Sequence, residues 1–327
     1  MASMKLRRFL EALGAPVKDP EEETFELFAQ DLPSQNLGFV DSKATTLELT
    51  VAGRDFTIHQ SPGVLSSNRA GGTTGAVVWK ITPLFAEWLA SPTNPFFAHG
   101  ILSPSSVVVE LGCGIAGLVG LLVAPRISRY VLTDQAYVAK LVEQNISDNW
   151  PTAEASASVT ASVSSRPARR RGNPAHAAGG SSGPARGGGG GGGRQRSTRR
   201  IHFTPLDWET DRATAVLTGS DEARSFDVVV ACDCIYNEAL VDPFVSTCVD
   251  LCRLREGQGA SSDRGKVPCV CVVAQQLRDP AVFEAWMTRF AKSFHIWRVP
   301  DQMLLKGLRS SSGFVVHVGV LKDDISL

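Results

Sequence analysis

From Val107 onward the chain alternates short apolar runs with helical stretches. That alternation constrains its fold more than any other feature. Val107-Val108-Val109 is all apolar, as expected for a strand covered on both faces. It ends in Glu110-Leu111-Gly112-Cys113-Gly114 and leads into a small-and-apolar helix to Ala124. Tyr130-Val131-Leu132 forms a second strand, closed by Thr133-Asp134. The helix after it carries Val138, Leu141, Val142 and Ile146 on one face. Ile201–Leu206 reads as a third strand, ending at Asp207-Trp208, and Phe226–Ala231 as a fourth, ending at Cys232-Asp233. A helix around Leu240–Leu254, a strand over Val267–Ala274 and a helix around Pro280–Lys292 follow. The last two strands, Phe294–Val299 and Phe314–Leu321, have no helix between them, which predicts an antiparallel end hairpin. The pattern therefore predicts an α/β fold: a doubly wound, mostly parallel seven-stranded sheet with an antiparallel C-terminal hairpin.

Upstream, the first 35 residues are polar and acidic with a weak helical pattern. Thr46–Val51 and Arg54–Gln60 both alternate and join through Ala52-Gly53, which reads as a β-hairpin. A Gly/Thr-rich loop, Gly71-Gly72-Thr73-Thr74-Gly75, leads to Trp79. Ile81, Leu84, Phe85, Trp88 and Leu89 then recur on one helical face, with Pro83 in the tolerant first turn. The expected organisation is an N-terminal extension over 1–70 and a main domain over 71–327, interrupted by an insert at 151–200.

That insert holds nine Arg, no Lys and a single acid, Glu154. It also holds 11 Gly, seven of them consecutive from Gly187 to Gly193. So little apolar surface cannot offset the entropy of ordering, and the expectation is disorder. The chain has 33 basic and 33 acidic residues, a formal charge of zero. The zero is the sum of a +8 insert and a −8 body, which excludes a uniformly basic nucleic-acid binder. The longest apolar stretch, the 19 residues Val107–Pro125, contains Glu110 and four Gly, so it does not read as a membrane span. No secretory signal is evident, and the seven cysteines, several in apolar strand-like runs, read as buried reduced thiols of an intracellular protein. Their close spacings are CxC and CxxxC with no His cluster, so no metal site is expected.

The chemistry concentrates at the strand ends. Gly112 and Gly114 allow a sharp turn and a close approach of backbone to ligand at a strand-to-helix junction. Such sheets bind cofactors in the crevice beyond their strand C-termini. Asp134 ends the next strand, where a carboxylate can accept hydrogen bonds from ribose hydroxyls. Gly117 completes a formal GxGxxG, but Glu110 just before it would repel a pyrophosphate. An acidic strand end followed by GxG suits a cofactor with an amino acid moiety and a positive sulfonium, S-adenosylmethionine. Asp233-Cys234-Ile235-Tyr236 falls beside the same crevice. There a carboxylate can hold a lysine ammonium, and an aromatic wall can accept the cationic head and shed its water. Bland readings stand beside these: Asp233 as a turn cap, Trp79 and Trp208 as packing, the arginines of the insert as a solvated loop.

These residues resemble the seven-β-strand protein lysine methyltransferases, and most closely the fungal ribosomal lysine methyltransferase 5 group. The resemblance runs from about Gly72 to Leu321, broken by the insert. Its carriers are Gly75-Ala-Val-Val-Trp-Lys80, Glu110 through Gly117, Leu132-Thr-Asp-Gln135, Leu206-Asp-Trp208, Ala231 through Glu238, and Ala274-Gln-Gln-Leu-Arg278. It implies that Trp79, Glu110, Gly112, Cys113, Gly114, Asp134, Trp208 and Ala231 bind S-adenosylmethionine. It also implies that Asp233 and Tyr236 act at a lysine channel. The implied substrate is a lysine of a large-subunit (60S) ribosomal protein of the L1 family. The corresponding expectations are a cytoplasmic, also nuclear, monomer with a weak ribosomal RNA contact through the insert and no membrane partner. Three alternatives remain: an RNA- or ribosome-binding protein on the same fold, a lysine methyltransferase for another translation-related or chaperone protein, and methylation of a small molecule or RNA base. The acidic body speaks against nucleic-acid substrates, as does Asp233-Cys-Ile-Tyr236 where a base-modifying enzyme often carries an Asn-Pro-Pro-Tyr-like motif.

Overall fold

The computed structural model describes residues 4–33, 38–69, 72–161, 200–255 and 267–325, with backbone alone for 151–161. Two helices open the chain, α1 (Met4–Leu13) and α2 (Pro20–Phe28), followed by a hairpin of β1 (Thr46–Val51) and β2 (Arg54–His59). The short helix α3 (Pro62–Leu65), α4 (Ile81–Ala90) and the short α5 (Pro95–Ala98) lead to β3 (Val107–Leu111), α6 (Leu118–Val123) and β4 (Arg129–Asp134). Next come α7 (Ala139–Ala161), β5 (Ile201–Pro205), β6 (Val228–Cys232), α8 (Val241–Arg253), β7 (Val270–Gln276), α9 (Pro280–Ser293), β8 (Phe294–Arg298) and β9 (Phe314–Leu321).

The main sheet has seven strands in the order β5-β4-β3-β6-β7-β9-β8. The pairs from β5 to β7 are parallel, while β9 runs antiparallel to both β7 and β8. This is the doubly wound sheet with an antiparallel end hairpin that the alternation predicts. Every residue of β3, β6, β7 and β9 is buried, as expected for predominantly apolar strands whose two faces are covered by helices. One core cluster joins α1, α4, α6 and α7 to one face; the other joins α2, α8 and α9 to the opposite face.

The weak pattern of the first 35 residues conceals two ordered helices. Leu6 and Phe9 of α1 are fully buried. Helix α2 is capped by Asp19 and docks through Glu23, which accepts a hydrogen bond from the buried His317 of β9 at 2.9 Å and pairs with Arg298 at 3.5 Å. Helix α7 also extends past the expected start of the insert, to Ala161. The Ala-rich run beyond Pro151 continues a helix whose earlier turns are held by packing, and propagation costs far less than nucleation. The remainder of the insert, 162–199, lies outside the described residues.

Two asparagines one turn apart on α7 do for β2 what a neighbouring strand would do. Asn145 Oδ1 accepts from His59 N, and its Nδ2 donates to His59 O and to Ile115 O, each at 2.8 Å. Asn149 repeats the pattern on Thr57 N and O at 3.0 Å. The hairpin edge is thereby closed and tied to the segment after Gly114. Asn145 is fully buried, so Asn145→Ala leaves backbone groups of His59 and Ile115 unpaired. We expect it to cost about 1–3 kcal/mol of stability, read as a lower denaturant midpoint with an unchanged slope. An unchanged midpoint would contradict this account of the hairpin.

Candidate active site

The sheet reverses direction at β3. Chain order moves outward from β3 through β4 to β5, then returns to place β6 on the other side of β3. The connections after β3 and β6 leave on opposite faces, so a crevice opens beyond their C-terminal ends. Trp79, Glu110, Gly112, Cys113, Gly114, Asp134, Trp208, Asp233 and Tyr236 all line this one pocket. Ala231, expected there, does not. It lies inside β6, 1% exposed, between Leu111 and Val273, and the chain reaches the pocket only at Cys232.

The floor is set by glycines. Gly112 has φ +65°, and a Cβ on it would lie 2.7 Å from Cys234 Sγ and 3.3 Å from the Trp208 ring. Gly114, at φ +58°, faces the Gly75 carbonyl, and Ile115 N donates to that carbonyl at 2.9 Å. The Gly-rich loop before α4 is thus pressed onto the turn after β3. Cys234 Sγ donates to Leu111 O at 3.1 Å, which closes the gap between the β3 and β6 ends.

The walls carry charge. Asp134 Oδ2 accepts from Gly114 N at 2.8 Å and Oδ1 from Gln135 N at 2.7 Å. Each oxygen keeps a lone pair for a ligand hydroxyl. Burial pushes the Asp134 carboxyl up to about 6, against the two backbone donors and Arg69, which favour the ionised form. Burial pushes Glu110 further, to about 8; Tyr130 donates to its Oε2 at 2.8 Å, and the nearby Asp134 charge adds to the rise. Asp207 and Glu209 line the rim. Among the described residues, no Lys or Arg lines the pocket.

The aromatic groups enclose it. Trp79 Nε1 donates to Thr74 O at 3.1 Å, and its ring centroid lies 4.5 Å from that of Phe39. Trp208 packs edge-on against Phe244 at 5.3 Å, and its Nε1 is buried without a partner among the described residues. Tyr236 is 39% exposed and accepts from Thr74 Oγ1 at 3.2 Å, which spans the mouth. Asp233 differs from its expected role. Its side chain is 1% exposed, and Arg278 binds both carboxylate oxygens, at 2.7 and 2.5 Å. It therefore does not stand free to hold an ammonium.

Sequence reasoning missed Thr74, Gly75, Gln135, Tyr137, Asp207, Cys232 and Cys234 as lining residues. Several sit next to residues it did identify, so position at a strand end was the available signal. The lining fits S-adenosylmethionine: carboxylates suit a sulfonium and an ammonium and oppose a pyrophosphate, Asp134 suits ribose, and Trp208 offers a ring face and an unused donor.

The Asp134 carboxyl is ionised above about pH 6 and neutral below it. Cofactor affinity is expected to weaken by about tenfold per pH unit below that point, measured by titration calorimetry. Glu110, near 8, adds an upper limb, which Asp134→Asn moves down because the Asp134 charge helps to raise Glu110. Affinity that holds steady down to about pH 5 would contradict the assigned role of Asp134.

The lysine methyltransferase family matches residues 59–163 and 193–258 of this chain, more than half of its length. A ribosomal lysine N-methyltransferase 5 from Zygosaccharomyces rouxii is 30% identical over 271 residues, covering 77% of this chain and 76% of that protein. A diaminohydroxyphosphoribosylamino-pyrimidine deaminase from Schizosaccharomyces pombe is 34% identical over 134 residues, but these cover 41% of this chain and only 32% of that protein. Among solved structures, the tRNA (uracil-54, C5)-methyltransferase of Pyrococcus abyssi in complex with S-adenosyl-L-homocysteine superposes at a TM-score of 0.36, with 12% identity over 85% of this chain and 44% of that one. A score that low adds nothing to the strand order itself. With the family match and the long alignment to the Zygosaccharomyces protein in agreement with the crevice, the chain belongs to the lysine methyltransferase family and uses S-adenosylmethionine.

Proposed function

We propose that this methyltransferase modifies a lysine of a ribosomal protein, and that the protein is a large-subunit (60S) member of the L1 family. The observation that supports the lysine chemistry is the pocket: Glu110, Asp134, Asp207 and Glu209 line it beside Trp79, Tyr137, Trp208 and Tyr236, with no basic side chain in the lining among the described residues and Asp233 already paired to Arg278. The ribosomal part is supported by the similarity to proteins named ribosomal lysine N-methyltransferase 5. The L1 family follows from the resemblance of the motifs.

A lysine ammonium has a pKa near ~10.4 in water and must lose its proton before it can attack. The carboxylates of the crevice attract the ammonium and favour its charged form. Loss of hydration at the aromatic walls works against that and lowers the pKa, and the proton leaves to solvent before the amine attacks. Burial holds the Tyr236 phenol above its ordinary value, so it remains a neutral hydroxyl at physiological pH. S-adenosylmethionine, when bound, supplies an electrophilic methyl group on a positive sulfonium. Asp134 would fix its ribose, and the turn over Gly112–Gly114 would let it lie close to the backbone; the Gly114 N–Asp134 bond and the glycine geometry support this. After that, transfer needs mainly positioning of the amine in line with the methyl. The enzyme would act as a monomer in the cytoplasm and the nucleus, and the arginines of the insert would touch ribosomal RNA phosphates.

Incubating separated ribosomal subunits with the protein and labelled S-adenosylmethionine tests this reading. Intact-mass analysis should show one L1-family protein gaining methyl groups, and Asp134→Ala should lower the rate by about a hundredfold or more. Absence of any labelled ribosomal protein would overturn it.

A further inference from the structure

Arg278 belongs to the Gln275-Gln276-Leu277-Arg278 motif after β7, to which the reading above gives no role. Its guanidinium binds Asp233 Oδ1 at 2.7 Å and Oδ2 at 2.5 Å, and donates to Gln276 Oε1 at 2.9 Å. Its Cζ lies 4.8 Å from the centroid of Trp79. It thus touches one residue from each side of the crevice, Asp233 after β6 and Trp79 before α4, without lining the pocket itself.

The grip falls on a strained turn. Asp233 has φ +61°, one of two described non-glycine residues in the left-handed region. Its backbone N donates to Ala274 O at 2.7 Å, and its Oδ1 also accepts from Gln276 N at 3.3 Å. A residue stays in such a conformation only where its surroundings over-determine it. The bidentate guanidinium supplies that, because its planar fork fixes the carboxylate in orientation as well as in place. The turn so held carries Cys234, which closes the β3–β6 gap, and Tyr236, which spans the mouth.

The N-terminal extension packs over the arrangement. Lys80 N donates to Gly38 O at 2.7 Å, and Val40 N to Val78 O at 3.0 Å, which lays residues 38–40 beside Trp79. Gly38 has φ +90°, and a Cβ on it would collide with Gln276 Oε1 and lie 2.7 Å from Arg278 Nη2. A glycine is needed there because the chain passes directly over the guanidinium. This segment lies upstream of the region that carries the family resemblance.

We propose that Arg278, partly covered by Gly38, is a positioning residue for methyl transfer: it holds Asp233 and with it the Cys234–Tyr236 wall of the lysine channel. Asp233 then orders the channel instead of receiving the ammonium. The inference rests on the lysine methyltransferase reading, and its test has one arm that needs no substrate.

In the substrate-free arm, Arg278→Ala should raise amide hydrogen exchange in the 233–236 turn by about tenfold or more. Exchange at Gly112–Gly114 and in the centre of β7 should stay at wild-type rates. In the kinetic arm, Arg278→Ala should lower kcat for the methylated protein by about tenfold to a hundredfold, with cofactor affinity changed less than about twofold. Arg278→Lys should not rescue it, because one ammonium cannot replace the fork. Asp233→Asn added to Arg278→Ala should cost little more than either alone, the mark of residues acting as a unit. Gly38→Ala should reproduce the Arg278→Ala exchange pattern while leaving every pocket-lining residue in place. Unchanged exchange in the turn, full rescue by lysine, or loss of cofactor binding and melting temperature in step with activity would overturn the proposal. If the wild-type protein labels no ribosomal protein, the substrate reading falls, and the exchange arm still decides the role of Arg278.

Discussion

The reversal of strand order between β3 and β6 is the constraint on which the site depends. Two strand ends lie side by side, and the chains leaving them depart on opposite faces, so neither fills the space between. The gap is kept narrow by a few close approaches. Cys234 Sγ bonds the Leu111 carbonyl across it, and Gly112 leaves just enough room for that sulfur and the Trp208 ring. A side chain at Gly112 would push these apart, and with them the turn that presents Gly114 N to Asp134. The floor and the lysine-side wall therefore meet at a single close contact.

Charge then decides what the gap can hold. Its lining has five carboxylates and, among the described residues, no basic group. Two of these acids, Glu110 and Asp134, are buried enough that their carboxyls are pushed up to about 8 and about 6. Burial disfavours the charged form of both carboxyls, and a cation beside them favours it; both the sulfonium of the cofactor and the ammonium of a lysine qualify. Asp233 stands apart because its charge is already met by Arg278 from outside the pocket. One acidic strand end is thus already paired, while its neighbours remain available to a cationic ligand.

The parts of this legible in the sequence were those fixed by local periodicity. All-apolar strands, helical faces and the residues at strand C-termini gave the sheet and placed Glu110, Gly112, Gly114, Asp134, Trp208 and Tyr236 at one crevice. Ala231 failed because a one-residue difference along a strand separates the core from the pocket, a resolution that pattern alone does not reach. The ordered α1 and α2 were hidden because their apolar residues are buried only through long-range packing, as with Phe9 of α1 against Phe96 of α5. The Arg278 motif was visible, but not its partner: Asp233 lies 45 residues away, and nothing in the spacing links them. The asparagine ladder on α7 was silent for the same reason, since Asn145 and Asn149 look like surface residues of an amphipathic helix until β2 is laid beside them.

The most direct test is a crystal structure of the protein with S-adenosylhomocysteine and a lysine peptide from its substrate. The account predicts the ribose hydroxyls on Asp134, the adenine beside Trp208, and the lysine side chain entering past Tyr236. Asp233 should remain bound to Arg278. A ribose held elsewhere, or an Asp233 released from Arg278 and bonded to the lysine nitrogen, would contradict it.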